Sequence, residues 1–189
     1  MVESFLKYIQ FEKRYSPKTV ISYQTDLNQF ENFLKKEFDN SSIQEANYNL
    51  VRSWIVSLVE ANLDSISINR KIACLRSYYK FLLRQEIITK DPMMKIKILK
   101  TKKKLPHFIN EQDSVKLMDN VVFPEGHKGQ RDKLILELFY GTGMRLAELI
   151  ALKDTDFNLG ARTVRVLGKR NKERVIPFSQ NLVILIKDY

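Results

Sequence analysis

Apolar residues recur at helical spacing through most of the first ninety positions, and alternation replaces that rhythm only near the C-terminal end. Val2 to Arg14 carries Phe5, Leu6 and Ile9, with Tyr8 beside them, on one side of a short amphipathic helix. Ser16-Pro17 then restarts the chain: Ser can cap the next helix, and Pro in its first turn lacks only an N–H that would have no partner there. Tyr23, Leu27, Phe30, Leu34 and Phe38 follow in steps of three and four, a stripe that ends at the turn signal Asp39-Asn40-Ser41-Ser42. A third helix is predicted over about Tyr48 to Ala61, with Val51, Ile55, Leu58 and Val59 inward and Trp54 near the same face. A fourth, about Ser65 to Gln85, puts Ile68, Ile72, Leu75, Tyr79 and Leu82 on one side and Arg70, Ser77, Lys80 and Arg84 on the other.

Asp91-Pro92 closes the helical region, and Lys95 to Lys104 holds six lysines before Leu105-Pro106, the pattern of a linker with little to bury. Asn110 is a candidate N-cap for a helix holding Val115, Leu117 and Met118. After a loop around Gly126 to Gly129, Asp132 to Tyr140 reads as an apolar helix, broken by Gly141-Thr142-Gly143 and followed by a helix from Arg145 to Leu152. Thr163 to Leu167 and Glu173 to Pro177 then alternate apolar with polar on either side of Gly168-Lys-Arg-Asn-Lys172, a hairpin signal, and Asn181 to Asp188 starts another helix. The expected fold is mainly α: a four-helix domain over 1–98, a Lys-rich linker over 99–107, and an α+β region with a β-hairpin over 108–189.

Charge narrows the class of partner. With 32 Lys plus Arg against 22 Asp plus Glu, the net charge is +10, an excess that most simply seeks a polyanion. Nucleic acid leads, with an anionic membrane surface behind it. Residues 1–105 carry 19 basic and 11 acidic side chains and residues 106–189 carry 13 and 11, so the electrostatic grip is expected mainly in the N-terminal part. No apolar run reaches the length of a membrane span and the N-terminus has no signal-peptide character, which predicts a soluble cytoplasmic protein. The single cysteine, Cys74, falls on the apolar face of the fourth helix as a buried, inert thiol. His107 and His127 have no companions at ligand spacing, so no metal is expected.

Two stretches carry chemistry. In Gly141-Thr-Gly-Met-Arg145-Leu-Ala-Glu148 the glycines let the chain turn tightly and bring Arg145 to a helix start, where free N–H groups already favour an anion. An arginine there can fork two donors onto one phosphate. Alone, the pattern is more simply that of a glycine-terminated helix followed by an arginine paired with Glu148. The hairpin adds Arg165, Lys169, Arg170, Lys172 and Arg174 around a turn with no apolar tip, so the loop should project into solvent or into a ligand. A lysine, unlike an arginine, can give its proton to a departing oxygen. The basic face of the fourth helix fits either a solvated surface or a phosphate contact, and the lysine tether fits either a solubilising spacer or one lying along DNA.

Gly141-Thr-Gly-Met-Arg-Leu-x-Glu-Leu with Gly168-Lys-x-x-Lys-x-Arg-x-Ile-Pro at this spacing resembles the first two active-site motifs of the tyrosine recombinases, the phage integrase and Xer group of DNA breaking and rejoining enzymes. The N-terminal half resembles their SAM-like core-binding domain through Ser16-Pro-Lys18-Thr19 with Tyr23 and Leu27, and through Asn69-Arg70-Lys71 to Arg76-Ser-Tyr-Tyr79. The resemblance implies a 3′-phosphotyrosyl intermediate, no metal and no nucleotide cofactor. It makes Arg145 the arginine that clamps the scissile phosphate, Lys169 the acid that protonates the 5′-oxygen, and Glu148 a supporting partner. Taken with the basic helix face, the lysine run and the cations of the hairpin, it makes Lys18, Thr19, Tyr23, Arg70, Lys71, Arg76, Lys80, Lys102, Lys103, Arg170, Lys172 and Arg174 the expected DNA contacts. Family members act as tetramers on duplex DNA, held by C-terminal segments.

The family's His-x-x-Arg box and nucleophilic tyrosine have no match among these residues, and neither Tyr140 nor Tyr189 sits where that tyrosine belongs. A truncated catalytic domain is therefore expected, monomeric and unable to complete the reaction unaided. Two other readings stay open: a non-enzymatic DNA-binding regulator or recombination accessory protein, and a basic scaffold for RNA or protein.

Overall fold

The computed structural model describes residues 1–39, 42–101, 110, 112–113, 116, 120–168 and 172–189. The chain separates into two compact units, Met1–Leu105 and Pro106–Tyr189. Both are built as the apolar pattern requires, mainly from helices, with one small sheet in the second.

In the first unit, α1 (Val2–Lys7) runs into a π-helical turn at Tyr8–Glu12, then α2 (Pro17–Glu37), α3 (Tyr48–Glu60) and α4 (Ser65–Arg84) follow. The starts are set by side chains that accept from otherwise orphaned N–H groups: Ser16 from Thr19, Asn47 from Asn49 and Leu50, and Asp64 from Ile66. Helix α4 is the axis of this unit and packs against α1, α2 and α3. Its Ile68, Ile72, Leu75, Tyr79 and Leu82 are almost fully buried, together with Phe5, Ile9, Leu27, Phe30, Leu34 and Val51. Each such side chain contributes roughly 1.5–3 kcal/mol on leaving water. Aromatic edges interlock in this core, with Phe30 and Trp54 ring centres 4.8 Å apart and Phe5 and Tyr78 5.4 Å apart.

The segment after α4 corrects the expectation of a free tether from Lys95 onward. Met93 and Ile96 insert into the first core, and Leu99 packs on its edge. Asn69 fastens the strap reciprocally: its Nδ2 donates to the Leu99 carbonyl at 2.9 Å, and its Oδ1 accepts from the Leu99 N–H at 2.8 Å. Alternate apolar residues between the lysines are what dock it. Residues 102–109 lie outside the described residues, as do Val115, Leu117 and Met118. Asn110 Oδ1 accepts from the Asp113 N–H at 2.7 Å, the bond an N-cap would make.

The second unit contains α5 (His127–Thr142), α6 (Leu146–Ile150), a short 3-10 turn at Asp154–Asp156, β1 (Phe157–Asn158), β2 (Thr163–Leu167), β3 (Glu173–Pro177) and α7 (Gln180–Asp188). The sheet is antiparallel in the order β1-β2-β3, and β2 pairs with β3 from Thr163↔Pro177 to Leu167↔Glu173. Alternation along β2 points Val164 and Val166 into a core shared with Leu134, Leu138, Met144, Phe178, Leu182 and Val183. Helix α5 begins earlier than expected. Gly129 is inside it because a Cβ there would stand 1.7 Å from the Pro124 carbonyl oxygen, so only glycine fits where the chain crosses.

Candidate nucleic-acid interface

The glycine turn before Arg145 divides its work between two residues. Helix α5 runs through Gly141, where a Cβ would lie 3.1 Å from Leu182 Cδ1, so this glycine serves the close approach of α7. Gly143 ends the helix in the left-handed conformation, φ 59°, and its N–H donates to the Phe139 carbonyl at 3.0 Å. The chain then enters α6 with Arg145 extended at the N-cap position.

Glu148, one turn into α6, gathers the surrounding donors. Its Oε2 accepts from the Arg145 backbone N–H at 2.7 Å and from Arg174 Nη2 at 2.7 Å, and its Oε1 accepts from Arg145 Nη1 at 2.9 Å. The carboxylate side chain is 4% exposed, whereas those of Arg145 and Arg174 are 67% and 43% exposed. One buried negative charge thus steers two guanidiniums outward, and the group keeps a net charge of about +1 for an incoming anion. The Arg145 N–H, ahead of the Arg174 and Arg145 guanidiniums, lowers the Glu148 pKa to about 2 against the opposing effect of burial.

The helix start itself has less to give an anion than its side chains do. Helix α6 has only five residues, and the Arg145 N–H is already taken by Glu148. The attraction for an anion lies chiefly in the two guanidiniums.

The hairpin meets the same carboxylate. A Cβ on Gly168 would lie 3.5 Å from Glu148 Oε1 and 3.2 Å from the Lys172 carbonyl oxygen, and the Gly168 N–H closes the loop onto that carbonyl at 2.7 Å. The chain therefore passes close to the Arg145–Glu148 pair immediately before position 169. Lys169 and Arg170 lie outside the described residues, as do Lys102 and Lys103. Lys172 is exposed, and Arg165 is drawn toward Asp156 at 3.4 Å.

In the first unit the candidate residues divide by burial. Lys18, Arg70, Arg76 and Lys80 are exposed, and Thr19 and Tyr23 are half-buried. Thr19 shares a 2.9 Å hydroxyl contact with Ser16 at the head of α2. Tyr23 stacks on Phe5, with ring centres 6.4 Å apart, and meets Tyr15 edge-on at 6.0 Å. Burial first, and then the neighbouring Cys74, raise its phenol pKa. Arg76 donates to the Ile96 carbonyl and so helps hold the strap. Arg84 donates to the Tyr8 hydroxyl at 2.6 Å and lies over that ring.

Lys71 is the residue whose place differs most from a phosphate contact. It is 4% exposed, and its ammonium donates to Asp26 Oδ1 at 2.8 Å and to Gln29 Oε1. Arg70 donates to the other oxygen of Asp26. Lys71 follows Arg70 by one residue, which turns it about 100° around α4 toward α2 and away from solvent. Asp26, 0% exposed, escaped the sequence reading although its spacing from Tyr23 and Phe30 puts it inside the buried stripe of α2. The link between Arg174 and Glu148 spans 26 positions and leaves no spacing signature.

Cys74 is buried, with Sγ 3.6 Å from the Tyr23 carbonyl oxygen, and burial pushes its thiol far up. It is inert, as its place on the apolar face implied. No group of three or more metal-binding side chains occurs among the described residues, and none of their helices is long and apolar enough to cross a membrane.

Comparison with known proteins follows the two units. Residues 2–86 match the phage integrase N-terminal SAM-like domain, and residues 107–189 match the phage integrase family. Tyrosine recombinase XerC of Pediococcus pentosaceus is 35% identical over 189 residues, which are 100% of this chain and 63% of the relative. XerC of Staphylococcus carnosus is 40% identical over 93% of this chain and 58% of its own length. The chain thus spans about three fifths of these relatives, between 58% and 63%. Among solved structures, the Tn1549 transposon integrase in complex with transposon right end DNA has a TM-score of 0.75 at 16% identity, covering 99% of this chain and 63% of that one. XerH recombinase bound to palindromic difH substrate has a TM-score of 0.68 at 17% identity, covering 100% and 56%. The structural likeness carries the fold, the sequence identity carries the kinship, and the chain belongs to the phage integrase family of tyrosine recombinases.

Proposed function

We propose that residues 1–189 grip duplex DNA and supply the first part of the active site of an enzyme that breaks and rejoins DNA strands through a 3′-phosphotyrosine. One observation carries this reading: the buried carboxylate of Glu148 holds Arg145, from the glycine turn, and Arg174, from the hairpin, with both guanidiniums open to solvent. Arg145 forks onto the non-bridging oxygens of the scissile phosphate and stays charged as the pentavalent transition state gathers negative charge. Lys169 follows Gly168, which lies beside Glu148, and as the hairpin acid it protonates the departing 5′-oxygen. On this reading the nucleophilic tyrosine and the His-x-x-Arg box come from the portion of such an enzyme that corresponds to the unmatched part of the relatives, outside the 58% to 63% of their length that this chain spans. Neither metal nor nucleotide enters the reaction.

The domain limits of 1–98 and 108–189 belong to this proposal, as does the 99–107 linker, whose first residue, Leu99, is docked on the first unit. So do the DNA contacts of Lys18, Thr19, Tyr23, Arg70, Arg76, Lys80, Lys102, Lys103, Arg170, Lys172 and Arg174. The segment by itself is read as a monomer acting in the cytoplasm, with tetramers confined to complete enzymes on DNA.

Fluorescence anisotropy with a labelled duplex tests the grip. Affinity should fall steeply with salt, with a log–log slope of about −0.9 for each phosphate neutralised. Arg145→Ala should make that slope shallower. Binding that ignores salt, or that favours single strands over duplex, overturns the reading. In an enzyme completed with the C-terminal portion of a curated relative, Lys169→Ala should spare duplex binding and slow cleavage, with rescue by a substrate carrying a better 5′ leaving group. Unchanged cleavage of the ordinary substrate removes Lys169 from that role.

A further inference from the structure

Asp26 sits between α2 and α4 with a side chain 0% exposed, and both of its oxygens are occupied: Arg70 Nη1 on one, Lys71 Nζ at 2.8 Å on the other. The two cations occupy different surroundings. The side chain of Arg70 is 46% exposed, whereas that of Lys71 is 5% exposed, bonded also to Gln29 and with its ammonium 6.0 Å from the centre of the Trp54 ring. Lys71 cannot reach a ligand without leaving the core.

Charge decides what such a site can bind. An arginine lying on a carboxylate forms a pair of zero net charge, and an approaching phosphate meets the negative oxygens beneath the guanidinium. Lys71 changes that sum by neutralising Asp26 from the inner side, so the guanidinium of Arg70 faces solvent with its charge uncancelled. The same contacts hold Arg70 in place, which removes part of the ordering cost of binding.

We propose that Asp26, Lys71 and Arg70 form a seat for a DNA backbone phosphodiester, in which Arg70 makes the contact, Asp26 positions it, and the buried Lys71 sets the charge it presents. The proposal rests on the duplex binding put forward above and assigns one backbone contact to the first unit. It makes a buried lysine, with no access to DNA, a determinant of affinity.

The test is the salt dependence of duplex binding by the 189-residue chain, with circular dichroism and thermal unfolding as controls for the fold. Arg70→Ala should weaken binding and reduce the slope by about 0.9, the loss of one phosphate contact. Lys71→Met should reduce it by a similar amount although no exposed group has changed. The double variant Asp26→Asn with Lys71→Met removes both internal charges and should restore most of the original slope, a recovery that a purely structural role for Lys71 does not produce. Should Lys71→Met lose its fold, Lys71→Gln keeps a donor on Asp26 and carries the same comparison. A parental slope in the folded lysine variant, or in Arg70→Ala, overturns the proposal, and so does a double variant no better than the single one. A parent chain that binds no duplex sinks the functional reading itself, which is a separate result.

Discussion

Asp26 in the first unit and Glu148 in the second each hold two cations on one buried carboxylate, yet the two clusters rest on different supports. Asp26 lies on a long helix facing another long helix, and one of its cations is buried with it. Glu148 lies on a five-residue helix between a glycine turn and a hairpin, and both of its cations are exposed. Helices packed along one core fix a single guanidinium rigidly. A turn and a hairpin can bring two together from distant parts of the chain, but their geometry depends on backbone conformation and on the carboxylate itself. The first arrangement suits a steady grip and the second suits chemistry, where several groups must converge on one atom.

The difference can be broken most severely at Asp26. Asp26→Ala leaves the Lys71 ammonium buried without a counter-ion and should cost about 3–5 kcal/mol in urea unfolding of the first unit. Asp26→Leu combined with Lys71→Met removes the whole buried pair and should recover most of that loss. A double variant as unstable as the single one would show that the pair does more than balance itself.

Acid should act on the second cluster. The Glu148 pKa is lowered from 4.5 to about 2, so the stability it contributes is fully present above about 4.5 and is lost as pH falls through about 2. Thermal melting of the second unit should therefore drop across that window. Glu148→Gln should lower the midpoint by several degrees at neutral pH and flatten that part of the acid dependence. An unaltered acid profile in the variant would separate Glu148 from it.

A smaller effect is expected at Gly143. Its φ of 59° costs a side-chain-bearing residue about 1–2 kcal/mol, so Gly143→Ala should destabilise the second unit by that amount and weaken duplex binding through Arg145. The first cluster has no glycine to disturb, and binding that survives Gly143→Ala unchanged would remove the proposed dependence on the turn. The smallest effect belongs to Tyr78, whose hydroxyl is buried without a hydrogen-bond partner. Tyr78→Phe should be neutral or stabilise by up to about 1 kcal/mol. Tyr79→Phe, which removes the 2.7 Å hydrogen bond that the Tyr79 hydroxyl donates to the Ile43 carbonyl, should instead destabilise by about 1–3 kcal/mol.

Much of the architecture was legible because period and capping are local. The stripe from Tyr23 to Phe38 corresponds to the observed α2, and the alternation around Gly168 corresponds to β2 and β3. Where reading failed, a longer-range contact had decided. The lysine-rich stretch after Pro92 looked unable to pack, but Ile96 and the Asn69–Leu99 exchange bind it to the first unit. Arg70 and Lys71 looked like equivalent cations, since adjacency in sequence says nothing of what faces each one across the helix interface.

By itself, then, the order of residues determined the helices, the hairpin, the excess of positive charge and the kinship carried by the Arg145 and Lys169 motifs, because each is written in neighbouring positions. Only the tertiary structure decided which charges remain available to a ligand. Lys71 is consumed inside the first unit, and Arg174 is brought to Glu148 across 26 positions. Availability depends on burial and on partners from other elements, and those are settled when the helices and strands close on one another.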